Sequence, residues 1–153
     1  MEKKVNKNIL RFLQIGVLIL LLACIRFFEQ DLFYDPLIIF FKSDYLLGII
    51  PPMDMAKLMF NLTLRYTLNS AISLAIIYFS FRDLNILKFS AILYAVLYVL
   101  ATSVFIFLVL NIEREHYLAL FYVRRFLIHP LFLLILLPAF YYYRLKNYKR
   151  SKD

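Results

Sequence analysis

The chain has no tryptophan, two glycines, one cysteine and only ten acidic residues among its 153. A lone cysteine excludes an internal disulfide, so the sequence carries no redox argument about compartment. So few glycines, with five prolines, exclude collagen-like and low-complexity readings. There is no glycine-rich phosphate loop and no metal-ligand spacing, and no paired carboxylates stand inside a hydrophobic run. No metal or cofactor is therefore expected.

What is present is apolar surface. The chain is 63% hydrophobic with mean hydropathy +0.75, whereas soluble domains use roughly 45–50% apolar residues. One soluble domain of this length has no interior large enough to hide that excess, so the fold class expected is an all-α polytopic membrane protein. Sixteen Phe and twelve Tyr supply bulk, and tyrosine takes the place of tryptophan at the membrane interfaces. The formal charge of +8 does not point to nucleic acid, because the basic residues stand at the ends of hydrophobic runs, where they set topology.

A span needs about 20 apolar residues to cross a hydrocarbon core about 30 Å thick. Four segments reach that length, residues 9–28, 57–81, 86–110 and 117–143, in a single domain covering 1–153. None alternates as a barrel strand does, so all four read as helices. Lys3, Lys4, Lys7, Arg11, Arg82, Lys88, Arg144, Lys146, Lys149, Arg150 and Lys152 flank one side, against Lys42, Lys57 and Arg114 on the other. The positive-inside rule then puts both termini, including the basic tail 144–153, in the cytoplasm. The opposite face carries most of the acids. Leu21-Leu22-Ala23-Cys24 also resembles a bacterial lipobox, but the bulky residues that follow and the three remaining spans favour an uncleaved helix.

The one long loop, 29–56, lies outside. Asp35-Pro36 reads as a helix cap with a first-turn proline, and Leu37 to Phe41 is too short to span. A second run, Tyr45 to Ile50, ends at Pro51-Pro52, and Asp54 reads as the cap of the second span. Such a loop is expected to lie along the outer interface or to dip into it.

Charge inside hydrocarbon is the functional clue, since an arginine at a helix centre costs about 2.5–3.5 kcal/mol on insertion scales. Asn61, Arg65, Asn69 and Ser73 recur every four residues on one helix face. Arg125 and His129 share a face of the fourth span, while Arg124 points about 100° away. Arg65 and the Arg124-Arg125 pair each lie about eight residues, or about 12 Å, from the outer ends of their helices, so they are expected in one layer, with Arg26 approaching from above. The plainer reading is that Asn61, Asn69 and Ser73 are interhelical hydrogen bonds worth about 0.6 kcal/mol each and that the arginines snorkel to headgroups. Snorkelling across about 12 Å is a long reach, which favours a specific site. No acid sits inside a span, so the guanidiniums are left with four choices: the outer-loop acids Glu29, Asp31 and Asp35, helix carbonyls, an anionic lipid headgroup, or a partner protein.

A catalytic reading also exists, in which Cys24 is the nucleophile of an intramembrane transpeptidase or protease, with Arg124 or Arg125 as oxyanion stabiliser and His129 as base. Against it, Cys24 stands among aliphatic residues, where cysteine behaves as a small hydrophobe. A third class is a lipid or small-anion carrier.

The stretch Arg26-Phe27-Phe28-Glu29, continuing through Leu32-Phe33-Tyr34-Asp35-Pro36 and Phe40-Phe41-Lys42, resembles the exosortase F system-associated membrane proteins. The resemblance resumes at Asn61, Arg65-Tyr66 and Leu68-Asn69, and at Phe121-Tyr122-Val123-Arg124-Arg125-Phe126-Leu127-Ile128 with Pro130-Leu131-Phe132, covering roughly residues 9–144. It implies an inner-membrane protein accompanying an exosortase, the cysteine transpeptidase-like membrane enzyme that processes C-terminal sorting tails. Exosortases use Cys, Arg and His. Here Cys24 is followed by Ile25-Arg26 rather than a small Ser-Gly pair, which counts against catalysis, and the resemblance implies an accessory role. The outer loop and the polar layer of Arg26, Arg65, Arg124, Arg125, His129, Asn61 and Asn69 are then expected to contact the enzyme or its anionic lipid or substrate.

Overall fold

A computed structural model describes residues 2–42, 52–111, 114–129 and 131–150. Every regular element among them is helical: α1 (Glu2–Phe27), α2 (Glu29–Leu32), α3 (Leu37–Lys42), α4 (Met55–Phe81), α5 (Leu84–Leu110), α6 (Tyr117–Ile128) and α7 (Leu131–Arg150), with a 3-10 turn (Arg114–His116) before α6. The second apolar run of the long loop, Tyr45 to Ile50, and Pro51 lie outside the described residues.

Helix boundaries follow local chemistry. The Asp54 carboxylate accepts from the amides of Ala56 and Lys57, at 3.0 and 3.3 Å, and starts α4 two residues before the expected Lys57. Asp83 likewise accepts from the Asn85 amide at 2.8 Å and starts α5 at Leu84. Between them Arg82 sits in the left-handed region at φ 52°, which ends α4 and turns the chain through a two-residue link. Asp35 departs from its expected role. Pro36 precedes α3, and only the Asp35 backbone carbonyl meets its first turn, accepting from Ile38 at 3.1 Å; the carboxylate points elsewhere.

α4 is the axis of the bundle and packs against α1, α5, α6 and α7. Its buried residues Leu58, Leu62, Tyr66, Asn69, Ser73, Ile76, Ile77 and Phe81 recur at three- and four-residue spacing, so one stripe faces its neighbours. Opposite it, Tyr94, Phe105 and Leu108 of α5 and Leu120 and Leu127 of α6 close the core. Tyr66 donates its hydroxyl to the Tyr94 carbonyl at 2.7 Å, and Thr63 bonds the Tyr98 hydroxyl at 2.6 Å. α3 does not hang free: Leu37 and Phe40 are buried, and the Phe40 and Phe41 rings meet Tyr117 and Phe121 edge-on, with centroids 5.4 and 5.3 Å apart.

Among the described residues, two helical stretches are long and apolar enough to cross a membrane by themselves, Ile9–Phe27 and Leu84–Leu110, and a third exists if α6 and α7 count as one broken span. The expected fourth span is therefore two helices, bent by 60° at His129. Residue 130 is proline, and a proline pushes the residue before it out of the helical region, which is where His129 lies, at φ −110° and ψ 141°. Pro138, in contrast, sits inside α7 without dividing it. α4 falls short on apolarity because it carries the polar stripe, although its 27 residues reach about 40 Å at helical rise.

Candidate functional site

The end of the bundle where α1 finishes gathers the charged residues that the apolar runs cannot accommodate separately. α1 stops at Phe27, and α2 begins at once with Glu29, so the Glu29 carboxylate is carried over the top of α4. There it accepts a hydrogen bond from Nη2 of Arg65, which lies three turns into α4. The extended residues after α2 bring Asp35 to the same place from the other side. Arg124 of α6 grips Asp35 with both faces of its fork: Nη2 reaches Oδ2 at 2.6 Å, and Nε reaches Oδ2 at 3.0 Å and Oδ1 at 3.3 Å. Arg65 Nη1 lies 3.8 Å from the same Asp35 Oδ2, so one carboxylate links two guanidiniums from two helices.

Burial shows why this pairing must be complete. The side chains of Arg65, Asp35 and Arg124 are 2%, 4% and 6% exposed, and that of Glu29 18%. An unpaired charge in such surroundings costs several kcal/mol on the order given by ion desolvation, whereas two cations facing two anions form a neutral set. The Phe33 ring adds to it, with the Arg65 Cζ 5.5 Å from its centroid. The set is not fully hydrogen-bonded within the protein: Nε and Nη1 of Arg65 are buried without such a partner.

The second layer is open. Arg26, 60% exposed, lies 3.8 Å from Glu29 and donates from Nη1 to the His129 ring, 2.8 Å from Nε2 and 2.9 Å from Nδ1. Together with Arg125, Arg124, Lys42 and Glu29 these two residues line a cleft of about 300 Å³. With Arg124 committed to Asp35 and Glu29 to Arg65, the cleft is left with three cations in excess, Arg26, Arg125 and Lys42. Arginine forks beside an ammonium in an open cleft suit a carboxylate or phosphate.

The adjacent arginines of the Tyr-x-Arg-Arg motif therefore separate, Arg124 inward to Asp35 and Arg125 outward to the cleft, as their 100° offset requires. Arg26, Arg65, Arg124, Arg125, His129, Glu29 and Asp35 are brought together; three other candidates are not part of the ion pairs. Asp31 is exposed on α2. Asn61 donates to the Lys57 carbonyl of its own helix at 2.8 Å, although it stands beside Arg65 and Phe33. Asn69 is buried one turn below Arg65 and donates to the Ile128 carbonyl at 2.9 Å, the acceptor exposed where α6 breaks. Cys24 is half-buried on α1 and is not among the residues that line the cleft.

No family model, curated protein or solved structure matches this chain. The site must therefore be argued from its own chemistry. Lys42, which in the sequence is only a flanking cation, is one part of that chemistry that spacing does not announce, since α3 has to fold back on α6 to present it.

Proposed function

We propose that the chain is a four-span protein of a bacterial inner membrane, with both termini cytoplasmic, that serves as a non-catalytic accessory partner of an exosortase-type enzyme. In this reading α4 is the second of the four spans, its polar stripe covered by α1, α5 and α6, α6 and α7 together make the last one, and α2 and α3 lie on the outer face. The open cleft is the contact point, receiving an anionic group of the enzyme, its lipid or its substrate. The observation that carries the proposal is the division of charge at that end: Glu29 and Asp35 are committed to Arg65 and Arg124, which leaves Arg26, Arg125 and Lys42 facing outward. The motif resemblance around Arg26, Asp35, Arg65 and Arg124 supplies the identity of the partner.

The test is co-purification of the tagged protein with its exosortase from native membranes. Arg125→Glu, at an exposed position, should abolish recovery of the enzyme while leaving the protein's own amount in the membrane unchanged. Cys24→Ala should leave sorting of exported proteins intact. Loss of sorting in Cys24→Ala would instead favour the reading in which this chain is itself the transpeptidase.

A further inference from the structure

The opposite end of the bundle holds a second basic cluster, built from three separate elements. Arg11 of α1 donates from Nε and Nη2 to the carbonyls of Phe79 and Ser80, in the last turn of α4. Arg144 of α7 donates from Nη1 to the Phe81 carbonyl at 3.4 Å. Arg82 stands exposed in the turn itself, its backbone held by the left-handed conformation that ends α4. Each arginine carries five N–H donors in a fixed fork, so capping the end of α4 leaves donors free on Arg11 and Arg144 and the whole guanidinium of Arg82 available.

The space beside these donors has the shape of a headgroup site. Two open clefts, of about 360 and 480 Å³, adjoin each other and share Phe81 and Arg144. Arg11 and Tyr141 line the first, while Arg82, Asp83 and Tyr143 line the second. Among the described residues Asp83 is the one acid on either wall, and its carboxylate is occupied in capping α5 through the Asn85 amide. Three guanidiniums thus face one carboxylate, with Phe81, Leu84 and Leu145 as an apolar floor of which the two leucines are exposed at the surface of the bundle. Basic pockets between membrane helices with this combination recognise phosphate headgroups, because the fork matches two phosphate oxygens while the floor takes the glycerol and the first methylenes.

We infer that Arg82 and Arg144, with Arg11 behind them, form a binding site for a phosphate-bearing anion, and that an anionic phospholipid is its occupant. The site is independent of the cleft at Arg26 and Arg125 and does not rest on the role proposed for it.

Delipidated protein in a neutral detergent would be titrated with short-chain phosphatidylglycerol, short-chain phosphatidylcholine and inorganic phosphate, with bound species read by native mass spectrometry. Phosphatidylglycerol should bind in preference to phosphatidylcholine, and the double variant Arg82→Gln/Arg144→Gln should bind it roughly tenfold or more weakly, the loss expected when charge-assisted bonds to phosphate are removed. Asp83→Asn, which retains a capping side chain, should bind phosphatidylglycerol at least as tightly as the unaltered protein. Lys88→Gln, which removes an exposed cation of the same end that lines neither cleft, should change nothing. Equal binding of the two lipids, or undiminished phosphatidylglycerol binding in an Arg82→Gln/Arg144→Gln protein that still unfolds at the unaltered temperature, would overturn the site. Inorganic phosphate matching phosphatidylglycerol, with the same loss in the double variant, would overturn the lipid as occupant and identify a free phosphate instead. An Arg82→Gln single variant covers the case in which the double variant does not fold, since Arg82 caps no carbonyl with its side chain; unchanged lipid preference there would also count against the site.

Discussion

At the scale of single residues, Asp35 is the position on which the charged layer turns. Its carboxylate accepts from both Nε and Nη2 of Arg124 and lies within ion-pair distance of Arg65, and all three side chains are buried. Removing it strands a guanidinium in low dielectric, which typically costs about 3–5 kcal/mol. Asp35→Ala is therefore expected to lower the thermal unfolding temperature of the detergent-solubilised protein sharply, and Glu29→Gln to lower it less, because the Glu29 side chain is partly solvated and Arg65 keeps Asp35 nearby. If the two variants unfold alike, Asp35 is not the linking carboxylate. Asn69 supplies a second, uncharged test. Asn69→Leu leaves the Ile128 carbonyl buried without its donor, for a cost of about 1–3 kcal/mol readable in the same unfolding measurement. Both partners of Arg65 and Arg124 were visible in the sequence as outer-loop acids, but their choice over helix carbonyls, lipid or partner was not. A carboxylate six residues after another has no fixed position until the loop between α1 and α3 is folded.

At the scale of elements, the decisive feature is the break between α6 and α7. His129 leaves the helical region and the two axes diverge by 60°, so the chain from Tyr117 onward is not one rod. Spin labels at the exposed positions Leu118 and Tyr142 would stand about 36 Å apart along a straight helix, and the bend should shorten that by about 5 Å. A pulsed-EPR distance matching the straight helix would remove the bend, and with it the reason Asn69 meets Ile128. The stretch 117–143 reads as one span in the sequence, and Pro130 is the physical reason it divides, because the residue before a proline is driven to extended backbone. The angle was not legible, since it is set by Asn69 holding the freed carbonyl and by Leu133 and Leu136 finding the core. The starts of α4, α5 and α6 were legible to within two residues, whereas α1 begins at Glu2, seven residues before the apolar run that starts at residue 9; Asp54 caps as expected, and Asp35 does not cap α3 with its side chain.

At the scale of the whole molecule, the two ends differ in kind. One end neutralises its deep arginines with carboxylates and offers an open basic cleft, and the other spends arginines on the carbonyls that finish α4. The topology proposed from the distribution of Lys and Arg can be checked in spheroplasts carrying Cys24→Ala. Ile39→Cys, exposed on α3, should react with a membrane-impermeant maleimide, whereas Leu84→Cys, exposed in the turn at the other end, should react only after permeabilisation. The reverse pattern would put the basic tail outside and remove the charge asymmetry as an argument.

The amino-acid order alone determined that this is an all-helical chain with stretches suited to a membrane, where α4, α5 and α6 begin to within two residues, and that Arg65 and Arg124 have to be accommodated at a similar depth. These depend on composition, capping chemistry and rise per residue, all of which are local. Only the packed bundle decided that Arg124 turns inward while Arg125 turns out, that Asp35 joins two helices, and that Arg11 and Arg144 finish a helix neither belongs to. Periodicity fixes angles around one helix axis, but the rotation of that axis relative to its neighbours is set by contacts between residues far apart in the chain.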